Sequence, residues 1–360
     1  MKIAVIKGDG IGQDVTDATL EVVDAAISKS GAPTLDYDYI LAGAGYFAET
    51  GSDIEPDGEE RAGAADAIFL GAIGLPAIRH ADGTEIAPHL RLRDTFGLYA
   101  GVRPVNAAYP NAPQRLADPR AAGIDMVILR ESTEGLFYSA STHGRSDIRG
   151  DEEVRDTLRI TRPTTEKLHR FAFKLAERRK AKGKRGRVTC VDKANVFASM
   201  AFFRKIFDEI AAEFPNAEAD YAYVDAQALN LIRAPWDFDV MVMENMFGDI
   251  LSDLAGGLVG GMGMAACAEI GDEHGLFQPA HGSAPDIMGE DKANPLAAIL
   301  SGAMMLDYLA EKSGNEAFGR AAELVEDAVQ AGFESNSLRP MEFSGDMGTK
   351  AVTKTVVELI

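Results

Sequence analysis

Several things are scarce in this chain, and each scarcity excludes a class of protein. Its 360 residues include two cysteines, Cys190 and Cys267, with no CxxC spacing, which rules out a disulfide framework or a thiolate zinc site. Cys190 stands in an apolar strand pattern, so both thiols are expected in the core. Positive charge is short as well: 36 Lys and Arg face 56 Asp and Glu, for a formal net charge of −20. A phosphate backbone demands a basic surface, so nucleic acid is not an expected partner. The one basic run, Arg178 to Arg187, follows a helical pattern, and a C-terminal turn that complements the helix dipole accounts for most of it; an anion site there is the weaker reading. No segment approaches the ~18 apolar residues of a membrane span, and Met1-Lys2-Ile3-Ala4-Val5-Ile6 is too short an apolar run for a signal peptide. The expected setting is the cytoplasm, away from membranes. GxGxxG is also missing: Gly8-Asp9-Gly10-Ile11-Gly12 is GxGxG, and a tight strand-to-helix turn explains it at least as well as a dinucleotide loop.

What is present is alternation. Ile3 to Ile6 reads as a buried strand, and Val15, Ala18, Val22 and Ala25 keep helical spacing up to a stop at Gly31. Apolar runs recur at Ala67 to Ile73, Met126 to Leu129, Val188 to Val191 and Val240 to Met243, mostly separated by helical patterns. This is the pattern of an α/β protein with largely parallel strands, and the length leaves room for two lobes. Gly256 to Gly263 reads as a flexible connection between lobes. The polar stretch from Ser139 to Asp156 reads as an extended arm suited to dimer contact.

Ligands of open α/β sheets gather beyond the carboxyl ends of strands, and Arg130, Lys193 and Asn245 each follow one of these runs. The next helix carries Asp249 and Asp253, four apart and so on one face, where two unpaired carboxylates repel and a divalent cation would relieve them. The bland alternative is a solvated helix start with Asp249 as its cap. Arg93 and Arg103 add two guanidinium forks to that of Arg130, enough for an acid with more than one carboxylate. Lys193 is a candidate base, and Asp225 a third carboxylate for a cation.

The motifs, in order, are GDGIG at 8–12, LRxxxxLYxxVRP at 92–104, RESTEG at 130–135, VDKANV at 191–196, YVDAxAxxLxRxP at 223–235, NMFGDILSD at 245–253 and HGSAPDIxGxxxANP at 281–295. Together they resemble the β-decarboxylating dehydrogenases, the isocitrate/isopropylmalate dehydrogenase family with its homoisocitrate and tartrate/D-malate branches. The resemblance implies a two-lobed isopropylmalate-dehydrogenase-like fold, not a GxGxxG Rossmann fold. Residues 1–99 with 255–360 would form the cofactor lobe, and 100–254 the substrate, metal and dimerisation lobe. It implies that Arg93, Arg103 and Arg130 hold the carboxylates of a small hydroxy acid, that Asp225, Asp249 and Asp253 hold Mg²⁺ or Mn²⁺, and that Lys193 takes the hydroxyl proton. Lys193 and Asp225 would enter from the partner subunit, giving a homodimer with shared sites. His281, Gly282, Ala284, Asp286 and Asn294 would hold the adenosine half of the cofactor, and the acid at Asp286 favours NAD over NADP.

Three departures from the family pattern bear on the substrate. Phe137 stands seven after Arg130, where the family usually has a proton-donating tyrosine, with Tyr138 next to it; neighbours on an extended segment point to opposite faces. His89 and Leu90 replace an adjacent leucine pair, and a buried imidazole against an isopropyl group would cost about 1–3 kcal/mol. Gln278 replaces a common glutamate. The expectation is oxidation, with decarboxylation, of a D-malate-type 2-hydroxy acid, either D-malate- or tartrate-like or 3-isopropylmalate, with these positions favouring the polar kind unless His89 turns to solvent. The alternative from another class is a non-catalytic homologue that binds nucleotide or dicarboxylate.

Overall fold

The computed structural model describes residues 1–107, 116–141 and 144–360. Its strands are β1 (Lys2–Gly8), β2 (Asp36–Tyr39), β3 (Ala67–Ala72), β4 (Ala100–Asn106), β5 (Asp125–Glu131), β6 (Asp147–Arg149), β7 (Glu153–Arg155), β8 (Arg187–Asp192), β9 (Glu218–Tyr223), β10 (Val240–Met243), β11 (Ala266–Ile270) and β12 (Gly275–Pro279). The apolar runs read from the sequence are β1, β3, β5, β8 and β10. The first helix, Gly12–Ser30, ends at Gly31, whose φ of 75° suits glycine and whose N–H closes on Ile27 O at 3.1 Å.

Ten strands form one sheet in the order β2-β1-β3-β12-β11-β4-β5-β10-β8-β9. β2, β1, β3 and β12 are mutually parallel, and so are β5, β10, β8 and β9. The pairs β12–β11, β11–β4 and β4–β5 between them are antiparallel, so the two blocks run in opposite directions. The sheet is therefore single and mixed at its centre, where largely parallel sheets were expected. A short reversal between β11 and β12 makes this possible, because adjacent antiparallel strands need no helical crossover.

Burial on both faces explains the continuous apolar runs. Val127 and Leu129 of β5 join Leu168, Phe173, Phe203 and Phe207 on one face, while Met126 and Ile128 join Met241, Met243, Leu251 and Ala255 on the other. Around β1, β3 and β12, residues from both ends of the chain share one core, among them Val15, Val22, Phe69, Phe277, Leu306, Val329 and Val352. Both cysteines are free and buried.

The basic run is spent internally. Arg179 pairs with Asp125 at 2.9 Å and Asp239 at 2.5 Å, Lys184 with Asp125, and Arg185 with Asp237 at 3.3 Å. Gly256 to Gly263 is no loose tether. Gly256 and Gly257 lie inside the helix Asn245–Leu258, and a Cβ at Gly263 would fall 1.9 Å from Glu342 Oε2. The expected arm contains an antiparallel hairpin of β6 and β7, in which Ile148 pairs with Val154 and both are exposed; residues 142 and 143 of that stretch lie outside the described residues.

His169 is wholly buried edge-on against Phe203 and Phe207, with ring centroids 4.5 Å and 5.3 Å away, and neither ring nitrogen has a hydrogen bond. Burial pushes its pKa down to about 3. Its folded pKa lies below its unfolded value, so the unfolded chain binds the extra proton, and stability is lost as pH falls from about 6.5 toward 3. Replacing His169 with Leu should stabilise the fold by about 1–3 kcal/mol and flatten that acid limb, as read by urea unfolding across this pH range.

Candidate active site

At its centre the sheet turns polar. Glu269 of β11 stands opposite Gly101 of β4, which stands opposite Arg130 of β5. Residues in one cross-strand row share a face, as do residues two apart on a strand, which brings Arg103 and Cys267 to the same side. Gly101 leaves the lane open: a Cβ there would lie 2.7 Å from Ser132 Oγ and 3.0 Å from Glu269 Oε2. Arg93 enters from the helix Pro88–Thr95, one turn after His89. All three guanidinium residues are buried, with 4%, 6% and 2% exposure for Arg93, Arg103 and Arg130.

The helix Asn245–Leu258 closes over them. Glu244 caps it, accepting from Phe247 N at 3.2 Å, so Asp249 lies one turn inside and is not the cap. Gly248 permits the approach, because a Cβ there would meet Arg130 Cβ at 2.6 Å. Arg130 donates to Asn245 Oδ1 at 2.8 Å and to Asp249 Oδ1. Arg103 donates to Ser252 Oγ at 2.5 Å and lies 3.7 Å from Asp249 and 3.5 Å from Asp253. The two aspartates thus share the arginine face with side chains still 39% and 58% exposed.

Crowding like charges has measurable consequences. Burial, then repulsion from Arg103 and Arg93, pushes Arg130 down to about 10, which leaves it charged at neutral pH. Burial raises the Asp253 carboxyl against the pull of Arg103, and the negative charge of Asp249 raises it further. Two such carboxylates with free oxygens suit a hard divalent cation that keeps positions open for substrate. His89 is held down to about 3 by burial and by Arg93 and Arg130, and its Nδ1 is buried without a hydrogen bond. The ring is partly buried, with Nδ1 shut away from solvent and the arginines near enough to lower its pKa. Leu90, the next position on that helix, is partly buried.

Lys193 and Asp225 are not brought to this cluster. Lys193 Nζ contacts Asp225 Oδ1 at 2.5 Å, holding that exposed carboxyl below its ordinary range. Among the described residues of the single chain, no three His, Cys, Asp or Glu side chains converge as a metal cage.

The loop from His281 to Asn294 splits into open and tied parts. His281 Nδ1 bonds its neighbour Gly282 O at 2.9 Å while Nε2 is buried with no partner, and Gly282 faces open space. Asp286 is exposed, and Ala284 sits at a left-handed φ of 34°. These fit a nucleotide better than Asn294 does, whose Nδ2 donates to Glu342 at 2.9 Å and whose Oδ1 accepts from Leu296 N at 3.2 Å.

A family model described as isocitrate/isopropylmalate dehydrogenase matches residues 2–360. The chain belongs to this family. It is 40% identical to a 3-isopropylmalate/3-methylmalate dehydrogenase of Methanocaldococcus jannaschii, with 100% of this chain and 98% of that protein covered. It is 38% identical to a homoisocitrate dehydrogenase of the same organism, again over 100% and 98%. An isocitrate dehydrogenase structure from Methylococcus capsulatus superposes with a TM-score of 0.84 at 34% identity, covering 99% of this chain and 98% of that one. The mixed, mostly parallel α/β fold is the family's, and the chain is a dehydrogenase of the decarboxylating class.

Against the family pattern, Phe137 falls in a short 3-10 turn, Leu136–Ala140, and not on an extended segment. The Arg130 guanidinium lies 4.8 Å from the Phe137 ring and the Arg159 guanidinium 4.2 Å from the Tyr138 ring, so the two aromatics still face different partners. Gln278 is buried on β12, where its main-chain carbonyl accepts from Ser301 Oγ at 2.8 Å.

Two residues escaped the sequence reading. One is Glu269, in a strand with no distinctive motif. The other is Asp9 in GDGIG, whose carboxylate accepts from Ala44 N, Gly45 N and Gly74 N, each at 2.8 Å. Ile11 N also reaches Ser283 O at 2.7 Å, so the turn anchors the His281 loop. An Asp set between two glycines at the end of a buried strand was the available sign. Removing it in Asp9→Ala strands buried N–H groups and should cost at least about 3 kcal/mol, measured as a fall in denaturant midpoint, with Asp9→Asn intermediate.

Proposed function

We propose that this chain is an NAD- and divalent-metal-dependent dehydrogenase of a D-malate-type 2-hydroxy acid, working as a homodimer. The observation that carries the reading is the cluster of three buried guanidiniums, with Arg103 and Arg130 set against Asp249 and Asp253 on one helix face and Arg93 against Glu269. Buried cations with so few fixed partners suit an arriving polyanion. Arg93, Arg103 and Arg130 orient the two carboxylates. Asp249 and Asp253, with Asp225 of the partner subunit, would hold Mg²⁺ or Mn²⁺, which supplies stabilisation of negative charge on the substrate oxygens. Lys193 of the partner subunit would take the hydroxyl proton, and NAD, when bound, would supply the hydride acceptor.

The dimer reading draws on exposed apolar side chains. Asp225, Leu229 and Ile232 fall on one face of the helix Val224–Arg233, all exposed, and Val196 and Phe197 are exposed beside Lys193. A second copy covering that face would receive Lys193 and Asp225 with it. The paired Ile148 and Val154 of the β6–β7 hairpin give a further contact. For the cofactor, the exposed Asp286 favours an unphosphorylated ribose, and the buried, unpartnered Nε2 of His281 leaves a hydrogen bond to be made. No helix among the described residues is long and apolar enough to cross a membrane.

The neutral His89 beside the arginines favours a small polar or absent 3-substituent over isopropyl. NADH formation with Mn²⁺ should be seen with D-malate or tartrate, weaker with 3-isopropylmalate, and abolished by chelator. Comparable kcat/KM for 3-isopropylmalate and the best polar acid would remove the preference, and no NADH across the panel would favour a binding protein. Because Phe137 has no proton to give, Phe137→Tyr should raise CO₂-releasing turnover about tenfold or more, within the ~10²–10⁴ that a positioned acid can supply. An unchanged CO₂-to-NADH ratio and rate would show that water already does this work.

A further inference from the structure

Glu269 is the one acidic residue among the three arginines that belongs to the sheet itself. Its side chain is wholly buried, its Oε1 lies 2.9 Å from Arg93 Nη2 and accepts from Cys267 Sγ at 3.6 Å. Its Oε2 makes no hydrogen bond of ordinary geometry; the Ser132 hydroxyl beside it is directed at Arg130 O, 3.3 Å away. A buried carboxylate is costly unless opposite charge holds it, and here burial is outweighed by Arg93, Arg103 and Arg130, which keep its carboxyl below its ordinary range. It is therefore ionised at neutral pH. Gly101, the residue between it and Arg130 in the cross-strand row, puts no side chain in the way.

We propose that Glu269 is an internal carboxylate of the substrate pocket, which takes up one of the three arginine charges and so sets the site for a dianionic 2-hydroxy acid and against a trianionic one. The proposal rests on the substrate reading above. Three guanidiniums face three fixed carboxylates, Glu269, Asp249 and Asp253, and the Lys193–Asp225 pair is neutral, so a bound divalent cation would leave two positive charges, which a malate skeleton with an uncharged 3-substituent balances. A third substrate carboxylate would meet Glu269 and find no spare cation: Arg93 is already paired, and His89 stays uncharged among the arginines. Burial strengthens this repulsion, since charges out of water are poorly screened. A role in folding alone predicts something different. Loss of a mere brace would loosen the arginines and weaken every carboxylate ligand alike, whereas loss of a charge filter would change the ratio between ligands.

The test is calorimetric titration of the full-length protein in Mg²⁺ with D-malate and with D-isocitrate as probes. The wild type should bind D-malate at least tenfold more tightly than isocitrate. In Glu269→Gln, which keeps the shape and removes the charge, the ratio of the two dissociation constants should shift at least tenfold toward isocitrate, while Glu269→Asp should keep it near wild type. A wild type that binds isocitrate as tightly as D-malate, a ratio in Glu269→Gln within twofold of wild type, or failure of both probes to bind would each overturn the proposal. The first of these needs no variant to fold. Because binding is read without turnover, a protein that discriminates between the probes and makes no NADH defeats the proposed reaction and leaves this inference standing.

Discussion

The contact between Arg130 and Asp249 is the constraint on which the site depends. Arg130 is placed by the end of β5, and Asp249 by a helix that leaves β10, two strands held side by side in the sheet. A guanidinium in this position cannot retreat to water, so the helix must bring oxygen to it, from Asn245 as well as Asp249. Glu269 does the same from the other side through Arg93. The polar centre is thus a set of charges that neutralise one another across the two antiparallel strands joining the parallel blocks. The cores on the flanks hold those strands in register.

Much of the fold was legible because apolar runs buried on both faces need no context. Val188 to Val191 and Val240 to Met243 are strands whichever way the rest of the chain goes. Among the strands that were missed, two kinds have a clear physical reason. β2 (Asp36–Tyr39) and β9 (Glu218–Tyr223) are sheet edges with polar, exposed positions, so their pattern resembles a loop. β4 and β11 carry Gly, Pro, Arg and Glu because they line the site, and function there displaced the apolar signal.

The site was legible as a list and not as a place. Arg93, Arg103, Arg130, Asp249 and Asp253 converge because β4 and β5 carry two of the arginines side by side and two helices bring the other residues to them. Lys193 and Asp225 pair with each other, away from the arginine cluster, an arrangement that no local pattern records. Asp9 and Glu269 were invisible for a related reason: their partners are backbone N–H groups and arginines dozens to hundreds of residues away, and long-range pairing leaves no mark in local sequence.

Gly248 has a consequence for how such a pocket can diverge. With a Cβ excluded at 2.6 Å from Arg130, the spacing between the acidic helix and β5 is set by main chain against side-chain stem. The seam between that helix and β5 is accordingly a fixed gauge, intolerant of remodelling. The helix Pro88–Thr95 is under no such restriction at His89 and Leu90, which contribute side chains alone. New specificities are therefore to be sought by exchanging side chains on the helix Pro88–Thr95, while the seam at Gly248 is left as it stands.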